Sequence, residues 1–206
     1  MKNRLFISAA LILLAGAVPA LAGSKGAAAQ AVPSVSAEDA KTREFKDILF
    51  KLVRQDEYLD EAVEMLDTST GRPGAEDLAA LGVSLRTISN NLKHVAALNK
   101  AEFAAVQPGS QYARYTNAIL SYSKKVDRKA VQVGGLISQL AASNKKAAMR
   151  DAVSSRKGGK KARGRSLNQI LAEQKAMQKL ASDARGLRVA SRNLSATSKW
   201  LYIASK

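Results

Sequence analysis

Leucine recurs every seventh residue at Leu180, Leu187, Leu194 and Leu201, and Leu78, Leu81, Leu85, Ile88, Leu92 and Val95 alternate three and four residues apart. Such spacing draws one apolar line down a helix, and its heptad form suits helices lying side by side in a left-handed bundle. Two further segments share the habit. Phe45, Leu49, Leu52, Leu59, Val63 and Leu66 form one stripe, interrupted by Asp56. Tyr112, Tyr115, Ile119, Tyr122, Val126, Val133, Leu136 and Leu140 form another, which fades after Leu140. No β-rich alternating segment competes, so the pattern predicts an all-α protein.

Turn chemistry sets the boundaries. Thr68 to Gly74, with Gly71, Pro73 and Gly74, and Gln107-Pro108-Gly109-Ser110 punctuate the stripes. Ser36 with Asp39 and Ser166 with Gln169 are capping-box patterns. Helices are expected over about 37–67, 75–106, 110–153 and 166–204, with a basic loop at 154–165. Short connections between the first three imply antiparallel neighbours and an up-down-up-down four-helix bundle. The last two helices are the longer, so they should outreach the first two by roughly 15 Å at the loop end, at 1.5 Å per residue. Gly134-Gly135 lies mid-helix, where each glycine costs about 1 kcal/mol, so either a neighbour approaches closely there or the helix kinks.

The amino terminus reads as an export signal. Met1-Lys2-Asn3-Arg4 is basic, Leu5 to Val18 carries no charge, and Pro19 precedes Ala20-Leu21-Ala22. Cleavage after Ala22 is expected, giving a signal peptide at 1–22, a flexible leader at 23–36 and a periplasmic or secreted product. The apolar run is too short for a bilayer span, and no later stretch is long and uncharged enough, so no transmembrane span is expected after cleavage. The chain has no cysteine, so a packed core must hold it without disulfides.

Charge is divided between the halves. Residues 23–107 hold 10 Lys+Arg against 13 Asp+Glu, while residues 108–206 hold 21 against 4. The acids concentrate at Asp56, Glu57, Asp60, Glu61, Glu64 and Asp67, which suit a solvated face pairing with the basic helices better than a calcium site, since one rigid helix cannot wrap six oxygens. Asp56 sits in the apolar stripe at the same depth as Lys129, which predicts an interior ion pair fixing the register, although Ala130 is an equally good inward residue. The loop residues Arg156, Lys157, Lys160, Lys161, Arg163 and Arg165 are the candidate anion-binding site.

In an extracytoplasmic space the fitting partners are an anionic envelope component, such as lipid or wall polymer, or an acidic protein. An exported protein seldom meets nucleic acid, and no aromatic residue between Tyr122 and Trp200 offers a stacking platform; nucleic acid becomes the alternative if the chain is not exported. A chaperone or ligand carrier holding its client between helices is the other alternative. Catalytic, metal and cofactor motifs are missing from the sequence. His94 is the single histidine, Asn91 stands where a di-iron Glu-x-x-His pair would need Glu, and haem attachment through cysteine is excluded. No enzyme is expected, and Met177 and the stripe tyrosines are expected to fill core space. Trp200 and Tyr202 are expected to plug the bundle base, with anchoring at a membrane interface as the alternative. The same heptads could pair between chains, which leaves the oligomeric state open.

Overall fold

The computed structural model describes residues 37–67, 73–109, 111–156 and 167–206, and within them the protein is all-helical. The four helices are α1 (Ala37–Asp67), α2 (Ala75–Phe103), α3 (Ala113–Arg156) and α4 (Leu167–Ala204). The signal peptide at 1–22, the leader at 23–36, Ser110 and most of the basic loop lie outside the described residues.

Side-chain contacts fix how the helices run. Asn91 Nδ2 donates to Gln55 Oε1 (3.2 Å) and Lys41 pairs with Glu102 (2.5 Å), so α1 and α2 are opposed. Hydroxyl bonds Thr116–Ser205 (2.6 Å) and Ser123–Ser198 (2.7 Å) oppose α3 and α4. By contrast, Phe45 stacks with Tyr115 and meets Tyr112 at a tilt while Asp56 meets Lys129, which sets α1 and α3 running together. Arg86–Asp183 and Asn99–Ser198 do the same for α2 and α4.

Neighbour order departs from the expectation. The broadest seam joins α2 to α4, followed by α3 on α4 and α1 on α3; α1 and α2 touch sparingly, and α2 makes no close approach to α3. The short 104–112 connection therefore spans a diagonal. Connection length restricts how far apart two helix ends lie, but the choice of neighbour follows from which faces are apolar.

One core fills the interior. All six stripe residues of α2 are buried, as are Leu180, Leu187, Leu194 and Leu201 of α4. Ile48, Ala62, Ala96, Ala130 and Ile137 join them, while Leu136 is only partly buried and Leu171 faces solvent. Met177 and the three tyrosines of the third stripe lie in or against the core, as expected.

Several boundaries are corrected. α2 ends at Phe103 and not 106, where Glu102 O accepts both the Ala105 and the Val106 N–H in a closing turn. α3 begins at Ala113 and not 110, after Gly109 takes a left-handed conformation (φ 71°) that glycine adopts at little cost. At its far end α3 continues through Arg156, so the loop expected from 154 starts later. Gly134 and Gly135 lie inside the unbroken α3, and a Cβ on either would meet nothing within 4 Å, so neither a break nor a close neighbour explains them.

The expected overhang of the last two helices is also modified. α3 has 44 residues against 31 in α1, but Gly74 and Ala75 at the start of α2 share a shallow cleft with Gln169 and Ala172 of α4. Hence α2 follows α4 nearly to its first turn, and α3 alone runs far past its parallel neighbour.

Candidate functional site

The charged residues sort themselves by helix. On α1, Asp56 is 5% exposed within the apolar stripe, and its carboxylate is gripped by Lys125 Nζ (2.5 Å) and Lys129 Nζ (2.6 Å) from α3. Lys129 also reaches Asp60 (2.6 Å) and donates to the Asp56 carbonyl (3.2 Å). The interior ion pair expected from the sequence is thus present at the core margin, with Ala130 filling the inward position beside it. Burial, the largest single influence on Asp56, works against its ionisation. The hydrogen bonds and charges of Lys125 and Lys129 together outweigh it and hold the carboxyl below its ordinary value of 3.8. Lys125 is raised in turn, chiefly by its hydrogen bond to Asp56.

A second polar layer lies deeper. Asn99, Ser123 and Ser198 are wholly buried, with Asn99 Nδ2 donating to Ser198 Oγ (2.9 Å) and the two serine hydroxyls 2.7 Å apart. Ser191 and Ser198 on α4 and Ser205 just past its end repeat every seven residues and meet Asp127, Ser123 and Thr116 of α3. This hydroxyl series sets the α3–α4 register. It therefore decides which surface cations share a level.

The result is a basic outer face. Lys124 and Arg128 flank Ser123 and Asp127 on α3, and Arg188, Arg192 and Lys199 flank Ser191 and Ser198 on α4. All five are exposed, and none pairs with a carboxylate among the described residues. Such a surface can attract anions over a Debye length, but by itself it performs no bond chemistry.

No family model, curated protein or solved structure matches the chain. Arg156 closes α3, whereas Lys157, Lys160, Lys161, Arg163 and Arg165 lie outside the described residues. The basic face missed at the sequence level consists of scattered lysines and arginines, and only the α3–α4 register gathers them.

Other candidates take plain positions. His94 is exposed beside a groove of about 300 Å³ between α1 and α2, together with Phe50, Arg54 and Gln55. Among the described residues no three His, Cys, Asp or Glu side chains gather to hold a metal ion, and no helix is long and apolar enough to cross a membrane. Trp200 does not plug the base: it is 54% exposed on the outer side of α4, because Leu201 takes the inward position of that turn. Tyr202 is partly buried under Lys206, whose ammonium lies 5.8 Å from its ring.

Proposed function

We propose that the chain is an exported, non-enzymatic up-down-up-down bundle that binds an anionic envelope component or acidic protein through its basic carboxy-terminal half. The observation carrying this reading is the unequal use of charge. Asp56 and Asp60 are taken up by Lys125 and Lys129, while Lys124, Arg128, Arg188, Arg192 and Lys199 point outward without carboxylate partners among the described residues. Exposed like charges repel one another and lower stability, a cost that an external polyanion removes. The basic segment ending α3 and following it, Arg156 to Arg165, adds to the same sign.

The test is binding to phosphatidylglycerol vesicles, polyglutamate and a teichoic-type phosphate polymer across a salt titration. Binding to at least one, falling steadily with added salt and weakened when the basics of 156–165 become Gln or Ser, supports the proposal. Failure to bind all three at low salt would sink it.

A second reading, a carrier holding a client between helices, is favoured by one observation. A half-open cleft of about 370 Å³ lies between α3 and α4, lined by the apolar Ala141, Ala148, Ile170 and Met177 and by the polar Asn144, Lys145, Glu173, Gln174 and Gln178. Its size is at the lower end of small-ligand sites. Salt-resistant uptake of an apolar probe, abolished by Ala148→Trp, would support the carrier over the anion binder.

A further inference from the structure

The outer side of α4 carries a second heptad line that has no partner in the fold. Val189, Ala196, Trp200 and Ile203 follow one another at helical spacing, with Asn193 filling the remaining step. Val189, Trp200 and Ile203 are 68%, 54% and 58% exposed, although large apolar side chains normally seek cover. The line from Val189 to Ile203 extends about 21 Å along the helix at 1.5 Å per residue. Arg185, Arg188, Arg192 and Lys199 border it, all exposed. Two acids lie nearby and both are engaged: Asp183 by Arg86 at 2.6 Å and Asp127 by the Ser191 hydroxyl at 2.6 Å.

We infer that this face of α4 lies in the plane of an anionic lipid surface, with Trp200 and Ile203 entering the headgroup region and the bordering Arg and Lys meeting lipid phosphates. This rests on the anionic-partner reading and names its seat and its partner. Charge decides against the other occupants. A second copy docking through the same face would set arginines against arginines. Of the exposed apolar residues of α1, Tyr58 and Met65 stand among Glu57, Glu61 and Glu64, which an anionic surface repels, and Phe50 stands apart from them in the groove with Lys51 and Arg54.

Shape points the same way. The line from Val189 to Ile203 lies on the convex side of a single helix, a form that a soft interface can follow. Tryptophan concentrates at the membrane–water boundary, and an amphipathic helix with basic residues beside Trp and Ile is the form that lies in it. Phe103, 48% exposed, lies one turn beyond Asn99, level with Tyr202 one turn beyond Ser198, and so adds an aromatic ring at the same end.

Trp200 is the single tryptophan of the chain, so its fluorescence reports this face alone. The full chain is mixed with vesicles of equal parts phosphatidylglycerol and phosphatidylcholine, with pure phosphatidylcholine vesicles and with polyglutamate. With the anionic vesicles the emission should move to shorter wavelength and acrylamide quenching should fall; with pure phosphatidylcholine neither should change. Arg185→Gln, Arg188→Gln, Arg192→Gln and Lys199→Gln combined should weaken partitioning by about fivefold per charge removed. Ile203→Ser should weaken it about tenfold. All five positions are exposed, and circular dichroism checks that the helices persist.

Vesicle binding with unchanged Trp200 emission, or unaffected by Ile203→Ser, overturns the placement on α4 and leaves the anionic-partner reading standing. Salt-dependent binding to polyglutamate without vesicle binding overturns the lipid and likewise leaves the broader reading. Binding to none of these and to no phosphate polymer removes both.

Discussion

Lys129 Nζ lies 2.6 Å from Asp56 Oδ1, so a lysine of α3 and an aspartate of α1, 73 residues apart in the chain, meet at the margin of the leucine core. Removing one member of such a pair leaves the other charge poorly solvated. Lys125 remains to help Asp56, so Lys129→Met should cost about 1–2 kcal/mol, less than a fully buried pair. Adding Asp56→Leu should recover most of that loss, as measured by urea unfolding of the single and double variants.

Acid should expose the same contact. The Asp56 carboxyl is held below 3.8 in the fold, so its contribution is present above that pH and disappears as pH falls through and below it. Urea midpoints followed from about pH 6 to about pH 2 should drop less steeply in Asp56→Asn than in the parent. Lys125 acts in the opposite direction: raised above 10.5, it stabilises below that pH and loses its contribution as pH rises through its folded value.

Glycines of the bundle should respond unequally to alanine. Gly134→Ala and Gly135→Ala place a methyl group in open space, and each should stabilise by about 1 kcal/mol through helix propensity. Gly82→Ala sets its Cβ 2.9 Å from Asp183 Oδ2, so that carboxylate must move from Arg86. Its gain should be smaller or reversed, and thermal melts of the three variants will show the order.

Ser198→Ala should be costly for one missing oxygen. The hydroxyl receives Asn99 Nδ2 and neighbours Ser123 Oγ where all three residues are wholly buried, and Asn99 Oδ1 already has no partner. A loss of about 2 kcal/mol is expected in urea unfolding. Ser138→Ala, which removes an exposed hydroxyl, should change little.

Two leucines of one helix make the complementary comparison. Leu187 is fully buried and Leu171 is 54% exposed. Leu187→Ala should destabilise by about 3 kcal/mol and Leu171→Ala by less than about 0.5 kcal/mol in the same denaturation assay.

Large aliphatic side chains made the helices readable, since Leu78 to Val95 and Leu180 to Leu201 repeat at helical spacing and lie inside as expected. Small and hydroxyl-bearing residues carry no such signal. Ala62, Ala96 and Ala130, and the Ser191–Ser198–Ser205 line, therefore emerged only from the packing. Trp200 adjoins Leu201, whose heptad place already claims the inward position of that turn, so the outward side of Trp200 was legible in the leucine series although the bulk of its ring argued for cover. The division of charge was countable beforehand, but which cations share a level depends on the α3–α4 register, and that register is set by hydroxyls.

The order of neighbours bears on how the chain can be made. α2 shares its broadest seam with α4, so Leu78, Leu85 and Leu92 lack a mate until the final helix has been synthesised. A nascent chain stopped after α3 would keep that leucine edge wet, and such a fragment should aggregate before it settles into a smaller fold. Completion of the last helix is thus the event that commits the molecule to its shape.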